Sequence, residues 1–485
     1  MNGPLIGLTL AAYMALLFAV AWHGDRRAGG DGRFQASVQA LSLAVYCTTW
    51  TFFGAVGSAS VNGWLYLPIY LGPALVYLLG WKLIRRIAEI SHGNNLTSIA
   101  DFLAARFGHS SALGALATGL CLCATLPYIA LQLRAVESTF QILAPTTTAG
   151  GLETAFGIAA VMLVFSLIFG ARHLSRGEKH PGVVRVVALE SVLKLVALLA
   201  VAWFALHEVV GGPSGLWSEL TDVEGGHALS HTSFGTDFWT YTLLSAFAIV
   251  LLPRQFHIAM VEHSTDRGMR TARWLFPLYL LLLSISVLPI SIAGDNRLAA
   301  QGFDPDRYVL MLPLAFGENG LALLAYLGGV AAATGMVIVS ALAMSIMISN
   351  EWVLPWLLRS GRDARTRRLD AVILNVRRSV IALVILGAYG FHLLAADTRN
   401  LAGLGLLAFV AVAQLAPAFL LGLAWRGTSA RGAIAGISAG FCVWALWLAL
   451  PMMVPAAVLA GSIPETLGWG LVTVATWVSL SLNLT

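Results

Sequence analysis

Thirteen apolar stretches, each long enough to cross a bilayer, alternate with short polar segments along the chain. A spanning helix needs about 20 mostly apolar residues at about 1.5 Å rise per residue. The pattern predicts spans 1 to 13 at 3–22, 37–60, 64–84, 111–140, 153–170, 183–207, 236–262, 273–293, 320–350, 379–396, 401–425, 431–451 and 466–485. The expected fold class is therefore an all-α polytopic membrane protein. The longest gaps, 208–235 and 294–319, carry Asp222, Glu224, Asp304 and Asp306 among Gly, Ser and Pro. Residues 359–378 read as a basic linker held against anionic lipid. No gap is large enough to house a soluble catalytic domain.

Composition agrees with the pattern. Hydrophobic residues make up 58% of the chain and charged residues 11%, against about 25% charged in soluble proteins. The distribution of the 29 Lys and Arg residues adds an orientation. With the N-terminus outside, nearly all of them fall in inside segments or at inner helix ends, from Arg26 and Arg85 through Arg172, Arg254 and Arg270 to Arg365 and Arg426. Outside segments keep only Arg297, Arg307 and Arg399, while Arg134 and Lys194 lie within spans. Such a bias is the positive-inside pattern, and it places the C-terminus in the cytoplasm. The net charge of +5 then reports topology rather than nucleic-acid binding. Span 1 runs on too smoothly for a cleaved leader, with no small-residue cleavage site after Trp22. Cys47, Cys121, Cys123 and Cys442 all lie in apolar spans. Cys121 and Cys123, two apart on a helix, point in different directions, which reads as packing rather than metal or redox chemistry.

Polar residues within the spans carry the chemistry. Span 2 crowds Tyr46, Cys47, Thr48, Thr49, Trp50 and Thr51 next to Gly54 and Gly57. A helix can open there, because Gly tolerates non-helical dihedrals and Thr hydroxyls satisfy freed backbone groups. The alternative is a tightly packed helix interface, which is enriched in the same residues. Span 7 starts Phe238-Trp239-Thr240-Tyr241 and ends Leu252-Pro253-Arg254-Gln255-Phe256-His257, where Pro253 is expected to kink it. Charged residues at mid-membrane depth cost about 2.5–3.5 kcal/mol on insertion scales. Glu190 and Lys194 form an (i, i+4) pair in span 6, read either as mutual neutralisation or as a functional acid. On span 4, Tyr128 and Gln132 fall one turn apart as a polar stripe facing a cavity. Arg134 is read as a carboxylate holder, as snorkelling or as a partner of Glu137. His257 reads as a cap or loop residue ahead of a proton relay, and Gln414 as an interhelical hydrogen bond.

Two segments carry a family resemblance. Residues 95–108, with Thr97, Asp101, Phe102, Leu103, Arg106, Phe107 and Gly108, resemble the segment before the fourth span of sodium:solute symporters. Residues 416–426 with Arg431, Gly432 and Gly436 to Gly440 resemble that family's signature near spans 11 and 12. Within the family, 42–57, 126–133, 252–257 and 333–339 resemble the transporter-like sensor domain of CbrA-type histidine kinases.

The resemblance implies a LeuT-like fold of inverted five-helix repeats in a bacterial inner membrane. Residues 1–35 hold span 1 and a cytoplasmic loop, 36–207 the first repeat (spans 2–6), 208–425 the second (spans 7–11) and 426–485 spans 12–13. Solute then sits between spans 2, 4, 7 and 9, with Tyr46, Trp50, Thr51, Tyr128, Gln132 and Ser245 as its expected contacts. The family's sodium site implies the carbonyls of Ala44 and Cys47 and two adjacent hydroxyls in span 9. Here Thr334 is the only hydroxyl, between Ala333 and Gly335. Proline-type carriers have an Asp where this chain has Tyr46. Loss of those oxygens puts sodium coupling in question and brings forward a proton on Glu190.

Two functions follow from the resemblance. The first is the sensory membrane half of a two-component histidine kinase, taking an amino acid with L-histidine as leading candidate, and leading through span 13 to kinase domains and a response regulator. The alternative is a stand-alone cation- or proton-coupled symporter. No phospho-acceptor His segment or nucleotide loop occurs in these residues, so no catalytic residue and no cofactor beyond a coupling ion is expected here. The end of the chain at Thr485, inside an apolar helix, points to a fragment of a longer protein.

Overall fold

The structure, a computed structural model, describes residues 3–26, 32–144, 151–170, 179–222, 227–231, 234–262, 266–359, 366–394, 401–453 and 470–484. All regular structure within them is helical. Among the described residues, eight helices are long and apolar enough to cross a membrane, or up to ten spans if each of two bent pairs is one span. Three shorter apolar helices, Pro68–Leu78, Phe156–Gly170 and Leu471–Leu484, occupy the remaining predicted stretches. The bent pairs are span 2, Gly32–Tyr46 with Trp50–Tyr66 at 75°, and span 7, Thr236–Leu251 with Pro253–Glu262 at 53°.

Span 9 is the centre of the bundle: the most apolar stretch of Asn319–Arg359 is wholly buried. Its small residues make this packing feasible, since without Cβ atoms helices approach closely enough for dispersion contacts to hold them. At Gly328 and Gly329 the rings of Phe52 and Phe53 lie where a Cβ would otherwise stand. The break in span 2 is thus anchored from behind by two aromatic side chains pressed on span 9. Cys121 is buried and Cys123 exposed, so the two do point apart.

Several boundaries differ from the sequence expectation. Span 3 stops at Leu78, and Trp81–Gly93 is a separate amphipathic helix that buries Ile84, Ile87, Ala88 and Ser91. Lys82, Arg85 and Arg86 therefore sit on its exposed side. The gaps 208–235 and 294–319 are not plain loops, for they contain Gly212–Thr221, Ala228–His231 and Tyr308–Ala315. Asp306 packs on Gly57 and Asp295 accepts a hydrogen bond from Ser60, so these segments cover the second half of span 2. Span 10 begins far earlier than expected, as Thr366–Leu394. Arg377, placed in the lipid-facing linker by its charge, is buried and donates to Ser349 Oγ at 3.3 Å. Arg27, Arg172, Arg176, Glu224, Arg362, Arg365 and Arg399 lie outside the described residues.

The two segments that carry the family resemblance meet. Ser98 caps the helix Ile99–Arg106 by accepting from Asp101 N at 3.0 Å, and Asp101 accepts from Thr97 N at 2.9 Å. That reciprocal cap fixes the helix start and its direction. At the other end, Arg106 donates to Gly422 O, and to Trp425 O at 2.9 Å. Both carbonyls terminate the helix Ala416–Ala424, where a cation is favoured by the helix dipole and by unsatisfied acceptors. Phe102 completes the joint, with ring centroids 5.0 Å from Phe419 and 5.9 Å from Phe256. The short helix therefore ties span 11 to the second half of span 7. Arg106→Ala is expected to lower stability by about 1–2 kcal/mol, with Arg106→Lys recovering only part. Thermal denaturation in detergent reads this, and an unchanged midpoint for Arg106→Ala would remove the clamp from the account.

Candidate functional site

The break in span 2 begins with a tight turn, Leu43–Tyr46, followed by Cys47 in an extended conformation at φ −79°, ψ 100°. An extended residue turns its carbonyl out of the helix ladder, and no water is at hand inside a bilayer to satisfy it. Lys194 of span 6 does so instead. Its Nζ donates to Ala44 O at 2.5 Å and to Cys47 O at 2.6 Å. These are short, charge-assisted bonds, and they offset the desolvation of an ammonium that is only 3% exposed. Lys194 thus stands on the two carbonyls that the resemblance assigned to a sodium ion.

The N–H side of the break is satisfied from span 4. Gln132 Oε1 accepts from Thr49 N at 3.0 Å and from Thr49 Oγ1 at 2.9 Å, while its Nε2 donates to Tyr128 O at 3.2 Å. Tyr128 and Thr48 hydroxyls lie 3.3 Å apart. The Tyr128–Gln132 stripe therefore faces the break in span 2. Freed backbone donors claim it because an unmet N–H in apolar surroundings costs several kcal/mol.

Glu190 and Lys194 do not form the (i, i+4) pair: among the described residues no ion pair joins them. Glu190 Oε1 instead accepts from Thr334 and, at 3.0 Å, from Tyr13 of span 1. Its Oε2 is buried without a hydrogen-bond partner among those residues. That atom lies against the Cα of Gly335, in space a Cβ would take. Thr334 thus serves the acid rather than the carbonyls of span 2.

Span 7 breaks at Leu252, extended at φ −62°, ψ 132°, immediately before Pro253. The chain restarts with Arg254 and Gln255, 2% and 0% exposed. Arg254 lies over the Tyr128 ring, 4.4 Å from its centroid. Its Nε and Nη2, and both polar atoms of the Gln255 side chain, have no hydrogen-bond partner among the described residues. Further along, Glu262 Oε1 accepts from His180 N at 2.7 Å and lies 3.2 Å from His180 Nδ1 and 3.3 Å from His257 Nε2. His257 is therefore part of a buried three-residue cluster rather than a loop cap.

A cavity of about 220 Å³ opens beside the second half of span 2 and the first half of span 7, lined by Trp50, Ser58, Asn62, Tyr241, Ser245 and Phe409 among others. Of the six expected solute contacts, Trp50 and Ser245 line it; Tyr46, Thr51, Tyr128 and Gln132 do not. Tyr46, Thr51 and Ser245 spend their hydroxyls on the carbonyls of Ile69 (2.9 Å), Thr48 (2.8 Å) and Pro68 (2.6 Å). Phe409 is one of the cavity's lining residues, with its ring 5.1 Å from Trp50 and 6.1 Å from both Tyr46 and Tyr128. Glu137, expected with Arg134, pairs with His392 Nε2 at 2.9 Å. Gln414 joins spans 11 and 13, donating to Ser479 Oγ at 2.8 Å and accepting from Asn483 at 2.7 Å.

Sequence reasoning missed Tyr13, Phe409, the destination of Lys194 and the burial of Arg254. Arg254 did leave a signal, as a charge directly after Pro253 inside an apolar span. The positive-inside count had absorbed it as an inner helix end.

No family model matches the chain. It is 23% identical over 440 residues to a monocarboxylic acid transporter of Corynebacterium glutamicum, covering 85% of this chain and 76% of that one. It is 23% identical over 421 residues to the uncharacterized symporter YhjB of Bacillus subtilis, covering 85% and 80%. Among solved structures it superposes on a substrate-bound, outward-open Na+-coupled sialic acid symporter with TM-score 0.73 at 14% identity, covering 99% and 96%. A manganese transporter of Eremococcus coleocola gives TM-score 0.51 at 12% identity, covering 94% and 86%. Helix architecture and similarity along most of the chain together make this a multi-pass membrane protein of LeuT-like fold, distantly similar to a bacterial monocarboxylic acid transporter and to an uncharacterized bacterial symporter.

Proposed function

We propose that this chain is a solute symporter that draws a small solute across the membrane on an inward cation gradient. The observation that carries the reading is the break in span 2, which presents the carbonyls of Ala44 and Cys47 to a cation. Broken helices of this kind hold ions and solutes in many secondary transporters. Relatives named as a transporter and as a symporter, matched along most of their length, favour the stand-alone carrier over the sensory half of a kinase. In this reading 36–207 and 208–425 are the two inverted repeats, 426–485 adds spans 12 and 13, and the basic segments face the cytoplasm.

Sodium is the first candidate for the coupling cation, as in the sialic acid symporter of like fold. One observation favours protons instead: Lys194 already fills the carbonyl pair, and the acid Glu190 sits one helical turn away on the same span. Sodium can enter only by displacing an ammonium held by two short bonds. A tethered cation that stays in place leaves protonation of Glu190 or Lys194 as the step that changes charge.

Uptake into proteoliposomes, with sodium and proton gradients imposed separately, tests both readings. Monocarboxylates and L-histidine are the first labelled solutes to try. Accumulation above equilibrium under one gradient is expected. Saturable binding with no accumulation under either gradient would make the chain a receptor and end the symporter reading. If protons drive uptake, Lys194→Met should abolish accumulation and create a new, sodium-specific thermal stabilisation over potassium, because the emptied carbonyl pair then accepts an ion. A Lys194→Met protein that still accumulates solute normally would contradict the role given to the ammonium. Gly335→Ala, which places a methyl on the Glu190 carboxylate, should cut uptake by about tenfold or more, equivalent to about 1.4 kcal/mol. Unchanged uptake would show that Glu190 has no part in coupling.

A further inference from the structure

We propose that Arg254 anchors the anionic group of the transported solute, so that the solute class is small organic carboxylates; this rests on the symporter reading above. Arg254 is buried at the break of span 7, and its Nε and Nη2 have no acceptor among the described residues. No carboxylate among those residues pairs with it. The two buried acids of the bundle core described above are engaged elsewhere, Glu190 by Thr334 and Tyr13 and Glu262 by the two histidines.

An arginine in this position cannot escape its charge as a lysine or histidine can, because it keeps its proton at any pH a protein meets. An unpaired buried charge costs several kcal/mol. The Tyr128 ring beneath the guanidinium and a side-chain hydrogen bond to the same residue return part of this, about 2 kcal/mol or more for a desolvated cation on an aromatic face, but neither uses Nε or Nη2. The remaining demand is for an anion, and two adjacent N–H donors match the two oxygens of a carboxylate. Gln255, next in sequence and also buried with its amide unpartnered, supplies a further donor and acceptor for a polar substituent beside that carboxylate.

Trp50 and Phe409 line the cavity, and Phe409 packs on the Tyr128 ring over which Arg254 lies. In this proposal the solute passes from the cavity to the guanidinium at Phe409. A volume of about 220 Å³ is below the usual range of about 300–1,000 Å³ for drug-sized ligands, and its aromatic walls suit a short organic chain behind the charged end.

Binding to the purified full chain in nanodiscs is the test. The probes are acetate, propionate, pyruvate, L-lactate, L-proline and L-histidine, each compared with its own primary amide. At least one carboxylate should stabilise the protein saturably while its amide binds about tenfold or more weakly, the loss expected for a charge-assisted contact. Arg254→Gln should lose that preference, and Arg254→Lys should keep part of it. Equal binding of acid and amide to the unmodified chain would overturn the proposal without recourse to any variant. So would Arg254→Gln binding the acid as tightly as the unmodified chain, or no carboxylate of the panel binding at all. A carboxylate that binds in this way but is never accumulated leaves the anchor standing and sinks the symporter reading. Gradient-driven uptake of neutral solutes alone does the reverse.

Discussion

A helix that opens inside a bilayer must find partners for its freed backbone groups within the protein, and that requirement organises this structure. At span 2 the carbonyl side of the opening is met by Lys194 and the N–H side by Gln132. These two side chains come from spans 6 and 4, so satisfying the break also fixes how three spans meet. The aromatic pair Phe52 and Phe53 then presses the opened segment on the glycines of span 9. Removing the ammonium would leave two carbonyls with neither water nor donor, a loss of several kcal/mol in apolar surroundings. A cation at this point is accordingly a structural necessity before it is a functional one.

Around that necessity the buried charges fall into an asymmetric set. Lys194 is held by carbonyls, Glu190 by hydroxyls from spans 1 and 9, and Glu262 by two histidines. Arg254 alone of this set has donors with nothing to accept them among the described residues. Lys194 and Glu262 are thus settled by the protein itself, Glu190 is met on one oxygen only, and Arg254 lies over the Tyr128 ring with Nε and Nη2 unmet. Phe409, which lines the cavity, packs on both Trp50 and Tyr128.

Much of this architecture is legible in the chain. Hydropathy gives the apolar stretches, and the crowd of Thr and Gly in span 2 and Pro253 in span 7 mark both bends, because those residues tolerate non-helical backbone. What the sequence hides is where long side chains end. Lys194 has an acid one turn away, and local spacing favours that pair; only the tertiary approach of span 2 shows a better site for the ammonium. Arg254 resembles any basic residue at an inner helix end until the break turns it inward. Phe409 has no signal, being one apolar residue in an apolar span. Arg377 was misread for a related reason, since charge density suggests a surface linker while the helix Thr366–Leu394 carries it inside to Ser349.

The most direct test of the central claim is an experimental density map of the chain in lipid with saturating sodium chloride, inspected at Ala44 and Cys47. Continuous side-chain density from residue 194 to both carbonyls, with no separate peak between them, is the predicted result. A distinct ion peak on the two carbonyls, with Lys194 turned toward Glu190, would contradict it and return the site to sodium.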